Sequence, residues 1–298
     1  MKHIDTYKND SFNSKSLTSY ITEYIVKKKL DKFIDSEDHY EYCPQSKEEL
    51  IKNIKELIKD DIYDFNCIDT SNITDMSSLF RGLDKKIENN NFDVSSWDVS
   101  NVTNMSSMFY DCVKFNCDLS NWNVSNVENM MGMFYGCEDF NRDLSNWNVS
   151  NVTNMKGMFG YCEIFEGKGL ENWNVSNVTN MADMFNGCVK FNCDLSKWNT
   201  SKLENMSYMF NNCKKFNGNL SKWNVSNITN MMAAFYGCDN FTGNGLEKWD
   251  VSNVEDMEYM FVNCKNFKCD LSKWDVSKVK DMTAMFYNVK SKPSWYKE

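Results

Sequence analysis

The chain has 298 residues, of which 42 % are hydrophobic, and a formal net charge of −9 at pH 7. This length and apolar content suffice for a sizeable core in one or two ordinary domains, or in one elongated domain. The acidic balance argues against nucleic acid and anionic membrane surfaces as partners, because both attract basic faces.

Residues 1–60 are predicted to form an N-terminal helical cap. An apolar pattern over residues 17–25 outlines a first helix, and EELIKNIKELIKD outlines a second. Ser46 and Glu49 form a capping box at the start of the second helix. A cap of this kind would cover the exposed apolar edge of a repeat array.

No secretory signal and no membrane-spanning segment is visible in the sequence. The first thirty residues contain no apolar run of seven or more, and no segment approaches eighteen apolar residues. By itself, this pattern indicates a cytoplasmic chain.

Residues 61–290 follow one sequence period. Trp recurs every 25 or 26 residues, at positions 97, 122, 147, 173, 198, 223, 249 and 274. An NM-x-x-MF element or a close variant follows each Trp, and a degenerate first copy lies at Met76–Phe80. We call each 25- or 26-residue unit a rung and count nine. A slower period of 76 residues, marked by CDLS, indicates that a block of three rungs was duplicated.

Each rung is predicted to contain a short helix. The apolar residues of one rung have the spacing of one helix face: Val127, Met130, Met133, Phe134 and Cys137. Ser125 stands at the N-cap position and Glu128 completes a capping box. The same box returns in two other rungs, as Ser201 with Glu204 and Ser252 with Glu255.

A short strand is predicted before each helix, because Trp122 and Val124 would share one strand face and Asn121 and Asn123 the other. Units of this size bury their apolar faces by stacking. The sequence therefore predicts an α/β repeat solenoid of leucine-rich-repeat-like geometry, with about nine rungs and a C-terminal tail at 291–298. The alternative is a parallel β-helix without helices.

The repeat resembles a known family. The phrases W-x-VSNVTNM-x-x-MFYGC and FN-x-DLS-x-W, seen at 97–112, 122–137 and 140–147, resemble the BspA-type leucine-rich repeats of bacterial surface proteins. These are also described as mycoplasma-type lipoprotein repeats of unknown function. The resemblance spans about residues 66–288 and implies a cell-surface protein, often an adhesin or antigen, with a horseshoe or solenoid fold and no enzymatic activity.

Cysteine does not indicate a metal site here. Seven Cys form one column after the MF pair, at positions 112, 137, 162, 188, 213, 238 and 264. The end rungs hold Leu83 and Val289 in this column, which predicts a small apolar core position. Cys117, Cys193 and Cys269 lie three rungs apart, on the order of 15 Å at the spacing of parallel strands, too far to share an ion or a disulfide.

No catalytic site or cofactor is predicted, and we do not expect an enzyme. His3 and His39 have neither a third nitrogen ligand nor a nucleophile motif nearby. The glycine pairs at 167/169 and 243/245 belong to loop inserts that lack the Lys of a phosphate loop. The Trp column is either a stacking platform for sugars or core, and its pairing with Val favours core.

The outward positions beside each Trp form what we call the polar strip. Its members are Asn121, Asn123, Asn146, Asn148, Asn172, Asn174, Lys197, Asn199, Lys222, Asn224, Lys248, Asp250, Lys273 and Asp275. The strip is neutral amide in its N-terminal half and carries both charges in its C-terminal half. We expect it to bind a protein or glycan partner. The alternative is a solvated face whose Asn side chains hydrogen-bond from rung to rung.

The expected function is therefore non-enzymatic recognition or adhesion through an extended polar face. Two alternatives stay open. One is a structural or antigenic surface repeat protein without a specific ligand, and the other is a cytoplasmic scaffold for protein–protein interaction.

Overall fold

The structure is a computed structural model that describes residues 40–82 and 92–297. The chain divides into two units, Met1–Glu41 and Tyr42–Glu298. The helix expected at 17–25 lies outside the described residues.

One α-helix, α1, is present in the described residues, and it spans Lys47–Lys59 as the sequence predicts. The Ser46 hydroxyl accepts the N–H of Glu49 at 3.3 Å. The Glu49 carboxylate accepts the N–H of Gln45 at 2.7 Å, one residue before the usual capping-box position. The predicted start of this helix is confirmed.

Helix α1 packs on the repeats. Leu50, Ile54 and Leu57 are buried in the same apolar core that continues through the rungs. Lys47 Nζ reaches Asp75 Oδ1 of the first rung at 3.2 Å. These contacts place α1 beside the first rung.

The predicted α/β solenoid is wrong, because the described part of the rungs contains neither a strand nor an α-helix. Two 3-10 turns, Leu170–Asn172 and Leu246–Lys248, are the helical segments of the rungs. The parallel β-helix fails as well, since isolated parallel bridges rather than strands join neighbouring rungs. One bridge residue per rung forms this series: Asp75, Asn104, Asn129, Asn154, Asn180, Asn205, Asn230, Asp256 and Asp281.

Two left-handed residues in each rung explain why the helices do not form. The first column has φ of +50 to +62° and comprises Ser78, Ser107, Gly132, Gly157, Asp183, Tyr208, Ala233, Tyr259 and Ala284. The second has φ of +57 to +76° and comprises Gly82, Asp111, Gly136, Tyr161, Gly187, Asn212, Gly237, Asn263 and Asn288. A right-handed helix cannot pass through either position.

The backbone N–H groups of a rung alternate between two kinds of hydrogen-bond acceptor. In the rung around Phe134, every second N–H from Met130 to Gly136 donates to a carbonyl of the next rung at 2.7–3.0 Å. Between them, the N–H groups of Met133 and Tyr135 close turns on carbonyls three residues earlier. The backbone polar groups are thus paired without a helix or a strand, as burial requires.

The capping boxes predicted inside the rungs are also wrong. The N–H of Glu128 donates to the Thr103 carbonyl of the preceding rung at 2.8 Å, rather than to Ser125. The N–H of Ser125 donates to the Asn123 side chain, which makes a local Asx turn. In the rungs, the Ser of the Ser-x-x-Glu pattern therefore takes part in an Asx turn, and the Glu backbone takes part in a hydrogen bond between rungs.

The predicted strand is present only as an alternation of exposure. Asn121 and Asn123 are exposed while Trp122 and Val124 are buried, as expected for an extended segment. The N–H of Trp122 closes a turn on the carbonyl of Leu119 at 3.1 Å. That N–H is therefore not available to pair with a neighbouring strand.

Aromatic rings stack from rung to rung inside the core. Phe109 and Phe134 have centroids 5.6 Å apart at 10°, and Trp122 and Trp147 have centroids 6.5 Å apart at 1°. The tail adds to this core, where Trp295 meets Phe286 edge-on with centroids 6.2 Å apart and its indole N–H donates to the carbonyl of Leu271 at 2.9 Å. This is the bond that each Trp of the rungs makes to the rung before it.

Candidate functional site

The polar strip is exposed along its whole length. All fourteen of its side chains, on seven successive rungs, are solvent-exposed, while the Trp between the two members on each rung is buried. The predicted alternation therefore holds at the strip, although the strand expected to produce it does not form.

Asx turns fix the second column of the strip. Asn123 Oδ1 accepts the N–H of Ser125 at 3.2 Å, and Asp275 Oδ1 accepts that of Ser277 at 3.0 Å. The members between them make the same bond to the Ser two residues later. The turn uses one side-chain oxygen and holds the side chain in one orientation.

Part of the first column is bonded between rungs. Asn146 Nδ2 donates to the carbonyl of Ser120 at 3.2 Å, and Lys197 Nζ donates to Asn172 Oδ1 at 3.1 Å. The strip therefore contains some of the rung-to-rung hydrogen bonds that are expected if it is only a solvated face.

The C-terminal half of the strip carries ionised carboxylates. The Ser252 hydroxyl and N–H lower the pKa of Asp250. Ser277 lowers the pKa of Asp275 in the same way. Hydrogen bonds to the charged form favour it, so this half of the strip presents both signs of charge at neutral pH.

A column of Asn next to the strip was missed from the sequence. It lies in the phrase VSNV, and each Nδ2 donates to a Ser carbonyl of the preceding rung at 2.7–2.8 Å. Its members are Asn101, Asn126, Asn151, Asn177, Asn227 and Asn253. The recurring SN dipeptide was the available signal, but it was assigned to helix caps.

The Trp column is core, as predicted. Trp198 is only 1 % exposed, and its indole N–H donates to the Leu170 carbonyl at 2.8 Å. The other Trp of the rungs are buried and make the same bond to the preceding rung. A sugar cannot stack on rings buried in this way, so the platform interpretation is wrong.

The main Cys column is also core. All seven side chains are buried, and each thiol donates to the carbonyl of a Phe in the preceding rung at 2.9–3.1 Å. Burial raises the pKa of the Cys188 and Cys213 thiols, which keeps them protonated. Val289 is buried in the same column, while Leu83 lies outside the described residues.

The second Cys column lies beside carboxylates. Cys117 Sγ is 3.4 Å from Asp93 Oδ1, and Cys269 Sγ is 3.5 Å from Glu247 Oε2. Burial raises the pKa of Cys117 to about 12 and that of Cys269 to about 11. No group of three or more His, Cys, Asp or Glu in the described residues is arranged to hold a metal ion.

The remaining sequence candidates are two histidines and two pairs of glycines. His3 and His39 lie outside the described residues. Gly169 and Gly245 are left-handed and each precedes a three-residue 3-10 turn, which agrees with their assignment to loop inserts.

The repeat itself matches a known family model. The model is described as "Mycoplasma protein of unknown function, DUF285", and it matches residues 46–169, 142–244 and 218–294. The chain belongs to this family. The three DUF285 matches overlap and together cover α1 and all of the rungs, so they confirm a repeat protein. They do not confirm the narrower assignment to BspA-type leucine-rich repeats.

Neither a curated protein nor a solved structure matches this DUF285 chain. Within the described ranges, no helix has the length and apolar character needed to cross a membrane.

Proposed function

We propose that the chain is a non-enzymatic recognition protein whose polar strip binds an extended protein or glycan partner. The observation that supports this proposal is the exposure of all fourteen strip side chains on seven successive rungs. Repeat proteins bind extended partners through faces of this kind. The side chains stand on an open surface rather than in an enclosed pocket, which favours binding over catalysis.

The chemistry of the strip suits a polar ligand. The Asx turn of the exposed Asn123 uses its amide oxygen and not its amide nitrogen, whose two N–H donors can bind a ligand. In the C-terminal half, Lys222 and Lys248 stand on rungs that also carry Asn224 and Asp250, so donors and acceptors alternate. Hydroxyl groups of a glycan or side chains of a polar peptide can pair with such a surface.

A structural role without a ligand is the second candidate. The bonds from Asn146 to Ser120 and from Lys197 to Asn172 favour it, because they use strip atoms to join rungs. In this role the strip would only be a stable, solvated face of the repeat array.

Arrays of glycans and of purified extracellular and cytoplasmic proteins separate the two candidates. We expect the native chain to retain a small set of binders and the double variant Lys222→Glu, Lys248→Glu to lose about tenfold in affinity, because it reverses two charges on the strip. The matched control is Lys214→Glu, Lys215→Glu, which makes the same charge change at exposed positions outside the strip.

Equal losses in the two double variants would show that binding depends on overall charge and would exclude the strip. Full retention by the Lys222, Lys248 variant would exclude it as well. The absence of any binder on both arrays would favour the structural role.

A further inference from the structure

The turns that carry the left-handed residues present a second surface with a different composition. Core columns repeat Met, Phe and Cys, whereas the turn positions between them change from rung to rung and are mainly Tyr, Ser, Gly and Asn. Antibody binding loops are rich in the same four residues, because Tyr gives rigid contact area and the small residues adapt to a ligand. A surface that does not repeat can form a single site.

Three tyrosines on successive rungs hold one another in place. The rings of Tyr110 and Tyr135 are stacked, with centroids 4.7 Å apart at 6°, and Tyr161 meets Tyr135 edge-on at 5.3 Å. The guanidinium carbon of Arg81 lies 4.4 Å from the Tyr110 ring centroid. Tyr161 is 46 % exposed, so this ordered row is open to solvent. We call Tyr110, Tyr135 and Tyr161 the tyrosine row.

Glycine makes room for the row on the following rung. A Cβ at Gly160 would lie 2.7 Å from the ring of Tyr135, and a Cβ at Gly187 would lie 2.9 Å from the ring of Tyr161. Each ring therefore rests on bare backbone. This packing orders the rings before any ligand binds and so lowers the entropy lost on binding.

Asp183 stands at the end of the tyrosine row. It is half-buried, and its backbone adjoins Gly160 on the side where Tyr135 packs. Its Oδ1 accepts one hydrogen bond, from Asn186 Nδ2 at 3.1 Å. None of the ion pairs in the described residues includes Asp183, and Lys156 is the cation whose field reaches it.

The surroundings of Asp183 leave its charge incompletely compensated. Burial raises its pKa, while the Asn186 bond and Lys156 lower it. Burial raises the pKa of Tyr208, which stands on the following rung, and the Asp183 carboxylate adds to this shift. Burial and the neighbouring tyrosines raise the pKa of Tyr135, and the Asp183 carboxylate contributes less there. A carboxylate among tyrosines attracts a cation in two ways, through the ion pair and through the ring faces.

We propose that the tyrosine row and Asp183 bind a basic peptide segment, with one Lys or Arg side chain seated against Asp183 and the tyrosine rings. The net charge of −9 gives the chain long-range attraction for such a partner. This site is separate from the polar strip, because it uses other residues and occurs once rather than on every rung.

Selection from a displayed library of random twelve-residue peptides tests the proposal, with the purified native chain as target at physiological salt. We expect the selected peptides to share a Lys or Arg. We expect Asp183→Asn to weaken their binding about tenfold, the size of one lost charge-assisted contact. Asparagine tolerates the left-handed backbone at this position, so the variant keeps the fold.

Asp111→Asn is the matched control. Asp111 is also left-handed but exposed, and it lies beside Tyr110 at the other end of the row. We expect this variant to keep binding within about twofold, because it removes the same charge without removing the ligand's direct partner. Tyr161→Ala should weaken binding with a smaller change in thermal stability than a core substitution, since nearly half of the Tyr161 side chain is exposed.

Four results would overturn the proposal. The selected peptides could lack basic residues, or they could bind Asp183→Asn as well as the native chain. Equal weakening by Asp111→Asn and Asp183→Asn would show general charge attraction. The selected peptides should also bind the Lys222→Glu, Lys248→Glu variant unchanged, and a loss there would place them on the polar strip.

Discussion

Helix α1 and the segment 127–137 have nearly the same sequence pattern and fold differently. Both place apolar residues at helical spacing after a Ser with a Glu three residues later. Lys47–Lys59 is an α-helix, whereas 127–137 is a run of turns with left-handed residues at Gly132 and Gly136. The comparison shows that apolar period and cap do not by themselves determine a helix.

The difference lies in what surrounds each segment. Helix α1 satisfies its N–H groups internally, as a helix must when no equivalent backbone lies alongside it. The segment 127–137 has a copy of itself on either side, and every second N–H pairs with the copy on the following rung. An array of identical neighbours therefore favours a backbone that pairs outward over one that pairs within itself.

Removal of a contact between rungs is expected to have the largest effect. Trp198 stacks on Trp223 at 6.1 Å and bonds the Leu170 carbonyl, so Trp198→Ala should lower the free energy of unfolding by roughly 3 to 5 kcal/mol. Urea titration followed by circular dichroism measures the loss. Trp295→Ala is the control, because that ring makes the equivalent bond while partly exposed and should cost less. An unchanged urea denaturation curve for Trp198→Ala would contradict the burial of the Trp198 ring in the stack.

Gly132→Ala tests the left-handed turns by the sign of its effect. At φ +60° we expect a loss of roughly 1–2 kcal/mol in unfolding free energy. In a helix the same substitution would stabilise by about 1 kcal/mol. A new Cβ would lie 3.4 Å from Ser107 Oγ and 3.5 Å from the Tyr110 ring, which are near-ordinary contacts, so backbone strain dominates. Gly132→Asn should lower the free energy of unfolding less than Gly132→Ala does. A gain of stability in Gly132→Ala would show that the backbone at this position is not left-handed.

The two serines that precede the compared segments should respond differently to substitution. Ser46→Ala removes the hydroxyl that caps α1 and should cost about 1 kcal/mol of unfolding free energy. Ser125→Ala should cost less than about 0.5 kcal/mol, because Ser125 takes part in its turn through its backbone N–H. Equal losses, measured by chemical denaturation of both variants, would mean that Ser125 caps a helix after all.

The smallest effect concerns Asp143, where an Asx turn meets an ion pair. Lys168, 2.8 Å from the carboxylate, and the Ser145 N–H lower the pKa of Asp143 to about 2. A lowered pKa stabilises the fold above the ordinary carboxyl pKa, and this contribution is lost as pH falls through about 2. The effect on stability should be slight, because 72 % of the Lys168 side chain and 38 % of the Asp143 side chain are exposed to solvent, which screens the pair.

Titration of the side-chain carboxyl by NMR measures this pKa directly. In Lys168→Met we expect the pKa of Asp143 to rise but to stay below the ordinary carboxyl value, because the Ser145 bond remains. Asp118 is the control, since Ser120 lowers its pKa through the same turn. An unchanged Asp143 pKa in Lys168→Met would exclude the ion pair as the main cause.

The sequence predicts well those features that recur at one position per rung. The burial of Trp198 and Cys188, the exposure of the strip and the extent of α1 all follow from period and local pattern. The backbone of the rungs does not follow in this way, because its hydrogen bonds join residues about 25 positions apart. Single-sequence reasoning weighs local propensity and cannot include those partners.

One local signal for the turns was present. The residue before the Cys column is Gly, Asn or Asp in most rungs, as at Gly136, Gly187 and Asn212, and these residues tolerate left-handed backbone. The other left-handed column gives no such signal, since Tyr208 and Ala233 occupy it too. There the paired rungs impose the conformation on residues that would not adopt it alone.

The tyrosine row could not be predicted from the sequence period, because its members do not recur at one position of the rung. Tyr110 and Tyr135 occupy one position of the rung and Tyr161 the next, so the row is not a column. It depends on the side chains missing at Gly160 and Gly187, which matter only once neighbouring rungs are in contact.

The 76-residue period has a genetic consequence. If residues 118–193 were deleted, Cys117 would be followed by Asp194, and the new junction would restore the sequence CDLS. The Trp that follows, Trp198, would take the place of Trp122, whose indole N–H donates to the Val94 carbonyl of the preceding rung. Unequal recombination between copies could therefore lengthen or shorten such a gene by three rungs at a time, and each product would keep the Trp, Phe and Cys columns of its core in register.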